Sequence, residues 1–157
     1  MDQAVDVPGR SSAPPPAGWR DRLAPYMLGI LRIMAGLLFL EHGLSRLFGF
    51  PSPLPTPPIL TLYWFAGFIE LVGGGLVTLG LFTRAAAFVM SGEMAFAYFL
   101  SHAPRGFFPI LNSGDSAILY CFVFLYLAVT GPGAWSVDEW LSKAQAARVG
   151  AAKSAAS

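Results

Sequence analysis

Four stretches of the chain are apolar for long enough to matter in a bilayer: residues 26–48, 59–82, 85–101 and 116–131. A helix needs about 20 apolar residues to cross a hydrocarbon core about 30 Å thick. The first two stretches reach that length, and the last two lie near or below it. The breaks between them are made of residues that end helices. Residues 49–58 hold five prolines, Thr83 and Arg84 make a polar corner, and residues 103–114 hold Pro104, Gly106, Pro109, Asn112 and Gly114. Gly131-Pro132-Gly133 closes the last stretch. The pattern predicts an all-α integral membrane protein, a four-helix bundle. A soluble bundle of buried helices is the competing reading, but no stretch has a polar face wide enough for water.

The ends differ from the middle. Residues 1–18 are rich in Pro, Ser, Ala and Asp without apolar periodicity, as in a disordered segment. The expected organisation is a disordered cytoplasmic tail over 1–22, a transmembrane domain over 23–142, and a polar tail over 143–157 that is a fraying helix or loose. The first apolar stretch starts too late and runs too long for a signal peptide. Ser136-Val137-Asp138-Glu139 fits a capping box. With Trp135, Trp140 and Leu141 it predicts a short amphipathic helix in the headgroup region. Arg10, Arg20, Arg22, Arg84, Lys143, Arg148 and Lys153 all fall on one side of the four spans, and only Arg46 and Arg105 on the other. The bias of Lys and Arg toward the cytoplasm places both termini there.

Composition narrows the chemistry. The 157 residues suffice for one domain; 55% are hydrophobic, 12% charged, and the net charge is +1, which points away from nucleic acid. Cys121 is the sole cysteine, so neither an internal disulfide nor a C-x-x-C pair can form. No phosphate loop, zinc motif or Ser–His–Asp pattern appears, and no metal site is expected.

The informative residues are ionisable groups inside the spans: Arg32, Glu41, His42 and Arg46 on the first, Glu70 on the second and Glu93 on the third. A charge at mid-membrane costs roughly 2.5–3.5 kcal/mol on insertion scales, so such groups turn inward and pair. At about 1.5 Å per residue, Glu41, His42 and Glu70 lie roughly 20 Å above the cytoplasmic side, Glu93 roughly 12 Å and Arg32 roughly 6 Å. Arg32 would then snorkel to the surface or balance Glu93. Gly67, Glu70 and Gly74 share a helix face, as do Gly29, Arg32 and Gly36, and small residues let backbones approach closely. Arg32, Glu41, His42, Glu70 and Glu93 are therefore expected to form a buried polar core.

Two readings of that core stand side by side. In one, its ion pairs only set which helices meet. In the other it is a proton-linked or quinone site, for which a carboxyl in apolar surroundings and a nearby histidine are suited. Arg46, His102 and Asp115 are outer-side candidates, with Asp115 also placed to cap a helix start. His42 and His102 as a metal or haem pair is a weaker option. The aromatic residues near His102 and along the fourth span would stack on a quinone or simply pack.

Leu31-Arg32, Gly36-Leu37-Leu38-Phe39 and His42-Gly43 resemble the first-helix signature of the DoxX family. Glu70-Leu71-Val72-Gly73-Gly74 and residues 79–87 are similar to its second and third helices, and Gly131-Pro132-Gly133 with Ser136 and Asp138 to its closing motif. The resemblance spans about residues 25–140. It implies a four-helix protein of the bacterial inner membrane, associated with oxidoreductase systems as a membrane subunit or anchor. It implies no intrinsic cofactor, with electrons carried by a quinone or by the cofactor of a membrane or peripheral redox partner. Homo-oligomers are compatible with it. The alternatives are a small proton-coupled transporter, a metal-handling membrane protein, or a scaffold without activity of its own.

Overall fold

The computed structural model describes residues 18–52 and 56–155, and most of the tail expected to be disordered lies outside them. The chain forms α1 (Trp19–Phe48), α2 (Leu62–Leu79), α3 (Thr83–Ala97), a short α4 (Pro109–Asn112), α5 (Asp115–Thr130) and α6 (Val137–Ala155). There is no strand among the described residues. α1 packs along α2, α3 along α5, and α2 also meets α3, while α1 only touches α5.

α1 starts earlier than the expected residue 26. The Gly18 N–H donates to Asp21 Oδ2 at 2.9 Å, which supplies an otherwise orphaned helix-start donor with an acceptor. The polar segment 19–25 gave no apolar signal for this turn, and Pro25 lies inside the helix. The other end is sharp: Gly49 adopts a left-handed conformation, φ 68°, and its N–H bonds back to Leu44 and Ser45. α6 also runs further than a short interfacial helix. The Glu139 N–H donates to Ser136 Oγ at 3.1 Å, the expected cap, but the Glu139 carboxylate pairs with Lys143 at 2.7 Å instead of reaching back. The segment expected as a polar tail is helical to Ala155.

By length and composition α1 and α2 are long and apolar enough to cross a membrane, and α5 is a shorter apolar helix. The distribution of exposure supports lipid as the solvent. The buried apolar core is small: Ala35, Phe39, Val77, Ala87, Met90, Met94, Ala117, Phe124 and Leu127. Phe88 and Phe122 are 67% and 64% exposed in mid-helix, and Val129 near the end of α5 is 69% exposed. Apolar patches on this scale are not left to water by soluble monomers.

Small residues set the closest contact. A Cβ on Gly36 would lie 2.7 Å from the Thr78 backbone N, and one on Gly74 would lie 2.6 Å from the Leu40 backbone N. The α1 and α2 backbones thus touch where the glycine faces were expected to meet. Phe39 and Phe124 join α1 to α5 edge-to-face, 4.7 Å between centroids. Ser91 Oγ donates to the Cys121 carbonyl at 2.8 Å, tying α3 to α5.

The α2–α3 corner and the turn after α5 are fastened by three side chains. Arg84 donates to the carbonyls of Ala128, Val129 and Thr130 at the end of α5, where a cation meets the negative end of the helix dipole. Asp138 accepts from the Phe82 and Thr83 N–H groups at the start of α3, both at 2.9 Å. Arg32 is the third. Its guanidinium is fully buried, yet it reaches neither Glu93 nor the surface. Its five N–H groups donate to Val77, Thr78, Pro132, Ala134 and Trp135 carbonyls at 2.6–3.3 Å. The expected Arg32–Glu93 balance is therefore replaced by a carbonyl cage, because the ends of α2 and of the 131–135 turn converge on it.

Asp138 gives a pH signature. Burial works against its charge, but hydrogen bonds from Thr83 and Phe82, with Arg32 nearby, outweigh it and hold its carboxyl below the usual range. A carboxyl lowered on folding contributes stability that is complete above its unfolded value, about 3.9, and is lost as pH falls through the folded one. Asp138→Asn should melt at a lower temperature than wild type at pH 7, and the gap should narrow between pH 5 and pH 3. Parallel melting curves across that range would refute the role given to Asp138.

Candidate functional site

The residues expected to form one polar core divide among three places. Arg32 sits in the carbonyl cage. Glu41 and His42 lie on the exposed face of α1, with His42 Nδ1–H donating to the Leu38 carbonyl at 2.7 Å and its ring near Phe39 and Tyr120. Helix phase explains the correction: the α1 face that meets α2 carries Gly36, Gly43 and Arg46, and Glu41 and His42 fall outside it.

The third place is between α2 and α3. Arg46, expected only as an outer-side charge, reaches down to Glu70. Nε donates to Oε2 and Nη2 to Oε1, both at 2.9 Å, the parallel fork in which guanidinium and carboxylate bind most firmly. Glu70 is 2% exposed and Arg46 31%. Glu93 approaches from α3, and its buried Oε2 has no hydrogen-bond partner among the described residues.

These groups line a cavity of about 270 Å³ together with Tyr63, His102 and Arg105. A second, apolar groove of about 320 Å³ is lined by Phe65, Ile69 and Val89 and shares Leu62, Ala66, Glu93 and Phe96 with the first. Phe65, Val89 and Phe96 are exposed, so the groove opens sideways from the helices, where lipid would lie. Glu93 stands where the polar cavity and the apolar groove meet.

Local structure builds the cavity's outer end. α3 continues through a π-turn, Tyr98–His102, into a 3₁₀ turn, Ala103–Arg105. Such turns interrupt helices at functional sites more often than elsewhere. His102 Nδ1–H donates to the Asn112 carbonyl at 3.0 Å, and its ring stacks on Tyr98. Asn112 is buried and binds the backbone on both sides, Nδ2 to the Gly106 carbonyl and Oδ1 from the Gly114 N–H, each at 2.8 Å. Asp115 is exposed as the first residue of α5, with Gly114 as its cap, and takes no part in the cavity. His42 and His102 are not brought together, and no group of three or more His, Cys, Asp or Glu converges among the described residues.

Tyr63 and Arg105 escaped sequence reasoning as cavity residues. Tyr63 lies in the first turn of α2, and Arg105 reads as a loop charge. Only the α2–α3 packing brings them to Glu93.

The comparisons with known proteins agree with the helices and with the residues they carry. The family model described as DoxX matches residues 27–103. An uncharacterized protein of Haemophilus influenzae is 43% identical over 127 residues, covering 75% of this chain and 92% of its own. The membrane protein Rv3486 of Mycobacterium tuberculosis is 30% identical over 131 residues, covering 72% of this chain and 80% of its own. The inner membrane protein YqjF of Escherichia coli is 29% identical, covering 73% of this chain and 91% of its own. A further relative, 26% identical and covering 73% of this chain and 86% of its own, is named "Putative oxidoreductase CatD" in Bacillus subtilis. No solved structure matches the chain. Identity over most of both lengths, together with the family match, makes this chain a member of the DoxX family of membrane proteins.

Proposed function

We propose that the chain is the quinone-binding membrane subunit of an oxidoreductase assembly, with the quinone head group in the α2–α3 cavity and its isoprenoid tail in the adjoining groove. α1, α2, α3 with its π-turn, and α5 cross the inner membrane, and both termini are cytoplasmic, in keeping with the Lys and Arg bias. The observation that carries the reading is Glu93 Oε2: a buried polar atom without a partner, at the junction of a polar cavity and a lipid-facing apolar groove. Buried polar groups are nearly always hydrogen-bonded, and an exception calls for a missing partner. A quinone carbonyl or quinol hydroxyl would supply one, and the tail would match the groove. The Arg46–Glu70 pair is already internally neutral, so it orients dipoles at the head group without demanding a charged ligand. CatD's oxidoreductase name favours the same class.

The chain's own part in such chemistry is to hold the head group and exchange a proton at Glu93. The electrons belong to the quinone and to a partner's cofactor. Fluorescence titration of the purified protein with a short-chain ubiquinone and with menadione tests this. Wild type should bind at least one of them saturably. Glu93→Ala should weaken binding about tenfold, the effect of losing a hydrogen bond worth about 1.4 kcal/mol. A wild-type protein that binds neither quinone would remove the reading.

A further inference from the structure

The exposed face of α1 holds a second ionisable pair that the cavity does not use. Met27, Ile30, Leu31, Met34, Leu37 and Leu38 form a continuous exposed apolar stripe, and it ends at Glu41 and His42, both exposed. Glu41 has no hydrogen bond or ion pair among the described residues, although Tyr120 is near enough to feel its charge.

Depth makes this costly. Arg32 marks the cytoplasmic end of α2, where it meets the Val77 and Thr78 carbonyls. Arg32 lies roughly 6 Å above the cytoplasmic side, and Glu41, nine residues further along α1, lies roughly 20 Å above it, within the outer half of a core about 30 Å thick. A carboxylate inside the core costs up to about 3 kcal/mol against lipid, and intramembrane charges turn to protein or pair with one another. Within its own chain Glu41 meets no cation and no hydrogen-bond donor among the described residues, with only Tyr120 nearby.

We propose that two copies of the chain associate through this face of α1, with Glu41 of each copy hydrogen-bonded to His42 of the other. The pair is complementary to itself. Glu41 and His42 are at nearly one height, so a two-fold axis along the membrane normal brings each Glu41 beside the other copy's His42, as an isologous interface requires. The hydrogen bond to the Leu38 carbonyl fixes the proton on His42 Nδ1 and leaves Nε2 for the partner. That pair is neutral wherever its shared proton sits, as carboxylic acid with imidazole or as carboxylate with imidazolium, so joining removes the charge from lipid. The apolar stripe below supplies the remaining contact. The inference rests on α1 crossing the membrane and not on quinone binding.

Mass measurement in lipid nanodiscs and disulfide trapping test it. Wild type should be a dimer, and Leu38→Cys in a Cys121→Ser background should cross-link on mild oxidation. Val89→Cys, exposed on α3, should not. Glu41→Ala and His42→Ala should each raise the dimer dissociation constant at least tenfold while leaving helicity unchanged. The exchanged double variant Glu41→His/His42→Glu should recover dimerisation, which a merely structural loss would not. A monomeric wild type, dimers indifferent to both alanine substitutions, or an exchanged variant as monomeric as the single ones would overturn the proposal.

Discussion

Arg32→Met, at a fully buried position of α1, should destabilise the protein by about 3 kcal/mol or more in detergent or SDS titration. Five carbonyls lose their donor together, and each buried acceptor left without a partner costs about 1–3 kcal/mol. Four of the five bonds are only partly buried, so water reaching their carbonyls would offset part of that sum and the full total is not expected. The cage joins three chain segments: α1, the end of α2, and the turn after α5. Its loss should therefore free the 131–135 turn and α6 along with it, which hydrogen exchange of Ala134 would register, since its N–H is held by the Pro25 carbonyl at 2.9 Å. Arg32→Lys separates charge from geometry. An ammonium keeps the charge but offers three donors without the planar fork, so it should fall between wild type and Arg32→Met. A lysine variant as stable as wild type would show that the positive charge alone suffices, and an unaffected methionine variant would refute the cage.

The cage also shows where sequence reasoning loses its grip. The apolar stretches of α1, α2, α3 and α5 are legible because lipid imposes one rule on every exposed position. The glycine faces of Gly36 and Gly74 are legible because 3.6 residues per turn fixes which residues align. The partner of each charge was not. By sequence Arg32 is a counter-ion for Glu93, because both are charged and within reach of one another by depth. Its actual partners are backbone carbonyls, which carry no residue signature. The Cα position of Arg46 points to the outer side, yet its long guanidinium side chain reaches Glu70 less than one turn lower, where Gly67 and Leu71 of α2 face Arg46 and Gly43. The rule that charges avoid lipid puts Glu41 and His42 on the inside. That rule applies to whatever surrounds a charge in the membrane, and for Glu41 and His42 the proposed second copy would satisfy it. The cavity itself depends on how α2 leans on α3 and on the π-turn that ends at His102, neither of which apolar periodicity encodes. The early start of α1 was hidden because Trp19–Pro25 offers polar and proline residues where an apolar run was sought.

The second large effect is an asymmetry within the Arg46–Glu70 pair. Arg46→Ala leaves the Glu70 carboxylate, 2% exposed, without its counter-ion, and removing one partner of a buried pair costs about 3–5 kcal/mol. Glu70→Ala leaves Arg46, which is 31% exposed and lines the cavity, so its guanidinium can be hydrated where it stands. That loss should be smaller, about 1–2 kcal/mol, on the scale of a charged hydrogen bond. Arg46→Leu/Glu70→Leu removes both charges and fills the space with apolar groups, and it should be more stable than Arg46→Ala, because no desolvated charge remains. The double variant should nevertheless bind quinone more weakly than wild type, since the dipole beside Glu93 is gone while the apolar groove is intact. Equal losses from Arg46→Ala and Glu70→Ala would mean that both ends of the pair are equally dry. The cavity would then be closed to water at Arg46, and the route for a head group would have to run through the groove alone.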